Sequence, residues 1–115
     1  DVFEHVNDPV GLAFKVSAHI PVGGRFLTAN HFVPSIKCHL PSTFHFNRSW
    51  DLVMARLGFE TEDRVTYGTV YRRVKKVKGI EGARKVEGYS RFLYRIPSFR
   101  GSERIKRLMW RLTPV

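Results

Sequence analysis

Positive charge is unevenly spread along this chain, and that limits how it can fold. Residues 1–58 hold five basic side chains (Lys15, Arg25, Lys37, Arg48, Arg56) against four acidic ones (Asp1, Glu4, Asp8, Asp51). Residues 64–115 hold fifteen basic side chains against only Glu81, Glu87 and Glu103. A compact domain must keep such a half from repelling itself, so its cations have to face out towards a polyanion. Nucleic acid, an anionic membrane face and an acidic protein are the partner classes this admits.

At 115 residues, the chain has room for one domain with one modest core and tails. Its 43% hydrophobic residues and 13% aromatics exclude a disordered basic tail of the histone or protamine kind. The single Cys38 rules out a disulfide framework and a multi-cysteine zinc module, and is expected to be a small buried apolar residue. No apolar run reaches the roughly 18–20 residues of a membrane-spanning helix. The chain opens on Asp1, for which a cleaved organellar presequence is one expectation.

Punctuation by Pro9, Gly11, Pro21, Gly23, Gly24 and Pro34 makes residues 1–34 read as a loop-rich extension, with a possible strand over 12–20. Gly23 and Gly24 lack the lysine and hydroxyl residue of a phosphate-cradling loop, so a plain turn is expected there. Ile36, Cys38 and Leu40 alternate with Lys37 and His39 as a half-buried strand requires. A loop over 41–48 follows.

The strongest helix signal comes next. Trp50, Val53, Met54 and Leu57 fall at i, i+3, i+4 and i+7, Asn47 or Ser49 can cap, Asp51 sits in the first turn, and Gly58 supplies a C-terminal stop. Glu60, Glu62 and Asp63 read as a solvated acidic loop. A second helix is expected over 69–78, with Val70, Val74 and Val77 as its buried seam and Arg72, Arg73, Lys75, Lys76 and Lys78 around it. Residues 83–87 and 89–96 read as strands, bent at Gly88. A third helix begins at Ser102, with Ile105, Leu108, Met109 and Leu112 on one face and Arg104, Arg107 and Arg111 on another.

Catalytic chemistry finds little support. His5, His19, His31, His39 and His45 form no compact ligand cluster, and the carboxylates at 60, 62 and 63 are too few for a divalent-cation frame. No nucleophile is paired with a base. Neither enzyme activity, a cofactor, a metal nor a small-molecule substrate is expected. Binding chemistry is better represented. Lysine and arginine neutralise phosphates, arginine also stacks on bases, and the cations are interleaved with Tyr67, Tyr71, Tyr89, Phe92, Tyr94, Phe99 and Trp110. Dispersal of the cations over several elements suits folded RNA better than duplex DNA.

The predicted order over residues 35–87 is strand, loop, helix, extended segment, helix, strand. This order resembles the large-subunit ribosomal protein thirty family, particularly its mitochondrial branch. Leu57, Gly58 and Phe59 approximate that family's Leu-Gly-Leu-type signature, Arg64, Val65 and Thr66 its extended segment, and residues 70–78 its valine- and lysine-rich second helix. The resemblance implies a small β-α-β-α-β domain that binds ribosomal RNA and contacts neighbouring ribosomal proteins. Two departures stand out: the loop over 41–47 is poorly basic, and Tyr67, Gly68 and Thr69 stand where a proline is common.

The expectation is therefore a small α/β domain over 35–96, two helices on one sheet face, an N-terminal extension over 1–34 and a basic helical extension over 97–115. Its expected function is structural, binding ribosomal RNA in a mitochondrial large subunit within the matrix. The alternative is a basic accessory subunit of an organellar membrane complex, its third helix laid against acidic headgroups. The expected phosphate contacts are Arg72, Arg73, Lys75, Lys76 and Lys78, extended by Arg84, Lys85, Arg91 and Arg95, with Arg100, Arg104, Lys106, Arg107 and Arg111 anchoring the tail.

Overall fold

A computed structural model describes residues 3, 6–28, 47–66, 68–94 and 99–112. Within them lie four helices and a three-stranded antiparallel sheet: α1 (Pro9–Ser17), β1 (Arg25–Thr28), α2 (Asn47–Arg56), β2 (Phe59–Val65), β3 (Gly68–Arg73), α3 (Glu81–Tyr94) and α4 (Ser102–Leu112). The sheet order is β1-β3-β2. The class is mixed α and β as expected, while the described elements do not confirm the expected β-α-β-α-β order. The strand expected over 36–40 and Cys38 lie outside the described residues.

Residues 9–17, expected to be partly strand, form a helix because local chemistry favours one. The Asp8 carboxylate accepts from the Gly11 amide at 3.0 Å, and Pro9 sits in the first turn, where its missing N–H costs nothing. Val10, Ala13 and Ser17 then bury one face at i, i+3 and i+7. Both α1 and β1 therefore belong to the body of the fold rather than to an extension. Between them Gly23, at φ 87°, makes the expected turn. Its amide donates to the Arg73 carbonyl, and the Arg73 amide donates to the Gly24 carbonyl, each at 2.8 Å.

The α2 helix keeps its expected apolar stripe, with Trp50, Val53, Met54 and Leu57 all buried, but it already begins at Asn47, so Asp51 lies beyond the first turn rather than in it. Gly58 ends it at φ 92°, a conformation that favours glycine. A β-carbon there would also collide with the Lys75 carbonyl oxygen. The Gly58 carbonyl in turn accepts from the amides of Val74 and Lys75 at 2.8 and 3.2 Å.

Residues 69–73, expected to begin a helix, belong to the central strand β3. A helix over 69–78 would pack Arg72, Arg73, Lys75 and Lys76 onto adjacent turns with no carboxylate at i±3 or i±4. The strand instead sets Arg72 directly opposite Glu60 of β2, and β-branched Thr69 and Val70 suit a pleated surface. Tyr71 and Arg73 point into the core. Val70 and Arg72 point to the outer sheet face, where Leu27 and Arg25 oppose them. Val70 and Val77 are accordingly only half-buried, and Val74 is 41% exposed. They form no core seam.

The strands expected over 83–87 and 89–96 are replaced, as far as residue 94, by one helix over residues 81–94. Ala83, Val86, Glu87, Ser90 and Leu93 recur at helical spacing and are buried, while Gly88 lies on the open side, away from any neighbour. Glu81 sits in the first turn. Ion pairs from Glu87 to Arg84 at i−3 (3.1 Å) and Arg91 at i+4 (4.0 Å) reinforce the helix. The α4 helix begins at Ser102 as expected.

The core joins Phe3, Val10, Ala13, Trp50, Val53, Met54, Leu57, Phe59, Tyr71, Ala83, Val86 and Leu93. Phe3 stands edge-on to Phe26 at 6.0 Å and tilts against Trp50 at 5.0 Å, tying the start of the chain to β1 and α2.

Candidate nucleic-acid interface

The fold sorts thirteen of the fourteen expected phosphate contacts into three groups. The first is consumed by the structure itself. Arg73 is 4% exposed. Its guanidinium donates to the Ser17 carbonyl, to the Ile20 carbonyl at 2.6 Å and to the Lys75 carbonyl at 3.2 Å, and lies 5.6 Å from the centre of the Phe59 ring. It caps the end of α1 and reaches no solvent ligand. Lys106 is also buried, at 6% exposure.

The second group is paired. Arg72 bonds Glu60, and Arg84 forks onto Asp8 at 2.6 and 2.8 Å while also reaching Glu87. The hydrogen bond from Arg84 is the main cause holding the Asp8 carboxyl down from its ordinary 3.8 to about 2. Arg91 shares Glu87 at longer range.

The third group is exposed and makes no ion pair among the described residues: Lys75, Lys76, Lys78, Lys85, Arg100, Arg104, Arg107 and Arg111. The first four follow one another from the end of β3 into α3. Arg95 lies outside the described residues.

The acidic cluster at 60, 62 and 63 is not a solvated loop. These residues lie on β2, where the register shifts between Thr61 and Asp63. Arg25 and Arg72 are directly opposed on β1 and β3, an arrangement that like charges disfavour unless screened. Glu62 binds Arg25 through two bonds of 2.6 and 3.0 Å, and Glu60 binds Arg72. The Arg25 hydrogen bond lowers the Glu62 pKa, and Glu62 raises that of Arg25. Glu60 and Glu62 thus compensate the two arginines on the outer sheet face. Among the described residues, no three His, Cys, Asp or Glu side chains converge on a common point.

Asp51 is likewise engaged, accepting from Arg64 and from the buried Tyr71 hydroxyl. Burial, then this hydrogen bond, raise the Tyr71 pKa, so its ring is a core element rather than a base-stacking surface. Among the expected aromatics, Phe92 and Phe99 are exposed, and Phe92 stacks on half-buried Tyr89 at 6.1 Å.

Arg56 joins the unpaired surface without having been expected there. Its side chain lies over Gly82 at the start of α3, where a β-carbon would stand 3.5 Å from it. In the sequence it is an ordinary basic residue in the last turn of a helix, and only the packing of α2 on α3 brings it beside the basic segment.

Comparison with family models, curated proteins and solved structures found no match to the chain.

Proposed function

We propose that this protein binds structured RNA through phosphate contacts and serves as a structural, non-catalytic component of a ribonucleoprotein. The supporting observation is the run Lys75, Lys76, Lys78 and Lys85, which the fold leaves exposed and, among the described residues, without ion pairs while Arg72, Arg73 and Arg84 are taken up internally. Lysines placed this way gain little for folding and much from a polyanion. Arg56, beside the start of α3, extends the same surface.

Ribosomal RNA of a large subunit, in the mitochondrion, is the ligand proposed from the sequence resemblance. The RNA reading itself rests on charge placement, since the helix and strand that carried the resemblance over 69–87 are a strand and a helix. Sedimentation of a cell lysate tests the particle. Co-migration with the large ribosomal subunit, released by high salt, is the expected result, and migration as free protein at low salt contradicts it.

A further inference from the structure

Any polyanion would engage the exposed arginines of α4, but their apolar neighbours need a different partner. Ile105, Leu108 and Leu112 are 44%, 54% and 75% exposed. They recur at i, i+3 and i+7, so they form one continuous apolar stripe. Arg104, Arg107 and Arg111 are also exposed and repeat the same spacing one residue earlier, which sets a basic stripe about 100° round the helix. The third side is fixed to the fold. Ser102 and Lys106 are buried there, and the Met109 carbonyl accepts from the Tyr89 hydroxyl at 3.3 Å. The start of the helix is pinned as well, because Ser102 and Phe99 exchange hydrogen bonds: the Ser102 amide to the Phe99 carbonyl at 2.9 Å, and the Phe99 amide to Ser102 Oγ at 3.2 Å.

We infer that α4 docks this protein onto an anionic phospholipid surface, lying in the plane of the interface. Acyl chains and phosphates form adjacent parallel layers there, in the same order as the two stripes. With the apolar stripe at the acyl boundary, the arginine stems run along it and their guanidinium groups reach the phosphates. A nucleic acid matches only the basic stripe, because aliphatic side chains gain nothing from phosphates. No described helix is long and apolar enough to cross a membrane, so the contact is with the surface only. The inference stands apart from the proposed RNA surface, which uses Lys75, Lys76, Lys78 and Lys85.

Vesicle flotation with the full chain tests it. The protein should float with phosphatidylcholine vesicles containing about 30 mol% phosphatidylglycerol and stay at the bottom with phosphatidylcholine alone. The double variant Leu108→Glu, Leu112→Glu alters side chains that are already exposed, so it should melt as the parent does while its vesicle-bound fraction falls about tenfold or more. A Lys75→Gln, Lys76→Gln, Lys78→Gln variant should still float, whatever becomes of its RNA binding. Any of three results overturns the inference: no flotation on anionic vesicles, flotation unchanged in the double glutamate variant, or a parent dimer that the same variant converts to monomer. The last would assign the stripe to a second copy of the chain.

Discussion

Arg73→Ala separates residues that build this fold from residues that face a ligand. Sequence alone places Arg73 among the phosphate contacts; the structure buries it to 4% exposure and directs its guanidinium to the carbonyls of Ser17, Ile20 and Lys75. Truncation removes three charge-assisted bonds, leaves those carbonyls without this partner and strips a cation from the Phe59 ring. Bonds to a charged donor contribute about 1.5–3 kcal/mol each and are not additive, so the expected loss is about 3–5 kcal/mol. That is a large share of the roughly 5–15 kcal/mol that holds a domain folded. At about 4 °C per kcal/mol for a domain of this size, the melting temperature should fall by roughly 12–20 °C.

The assay is a thermal melt followed by circular dichroism, paired with RNA binding measured well below the variant's transition. Affinity of the folded fraction should match that of the parent. A variant that melts within about 3 °C of the parent yet loses RNA affinity would refute the reasoning, because Arg73 would then be solvent-facing.

Other predictions follow from the same contacts. Gly58→Ala combines an unfavourable φ with a collision against the Lys75 carbonyl, and urea unfolding should show a loss of about 2–4 kcal/mol. Asp8 has a folded pKa of about 2 against an ordinary 3.8, so its contribution is complete above about pH 4 and is lost as pH falls towards 2. The side chain is 53% exposed, which limits that contribution to about 1 kcal/mol. The stability gap between the parent and Asp8→Asn, a variant that keeps a capping side chain, should therefore be about 1 kcal/mol at pH 6 and close to zero at pH 2. Leu57→Ala should cost about 2–5 kcal/mol in the same urea assay, since Leu57 is fully buried. Leu112→Ala, at an exposed site, should change stability by less than about 0.5 kcal/mol.

Two helices were legible in the sequence for clear reasons. In α2 the apolar spacing, the glycine stop and the burial all agree, and in α4 the start at Ser102 stands where the pattern puts it. The reading failed where two periods compete. Val70, Val74 and Val77 carry a helical spacing, but the cross-strand partner Glu60 decides in favour of a strand, and that pairing cannot be seen in the window itself. In residues 83–94 the short alternation around Phe92 outweighed the longer spacing of Ala83, Val86, Ser90 and Leu93, which is the set that the fold buries.

The candidate surface was legible in kind more than in detail. Lys75, Lys76, Lys78 and Lys85 are exposed, though on a connecting segment and a helix rather than on the expected helix and strand. Arg73 was not recoverable because its carbonyl partners Ser17 and Ile20 stand 56 and 53 residues away. The pairing of Arg84 with Asp8 spans 76 residues and was equally hidden. Local composition records how many cations a segment has, whereas long-range pairing determines which of them remain available.

The dependence of RNA affinity on salt tests the central claim most directly. If Lys75, Lys76, Lys78 and Lys85 each neutralise a phosphate, the plot of log K against log salt for a structured RNA should have a slope of about −3 to −4. The Lys75→Gln, Lys76→Gln, Lys78→Gln variant should reduce that slope by about 2–3 while melting at the parent temperature. A slope near zero, or one that the triple variant leaves unchanged, would contradict the account.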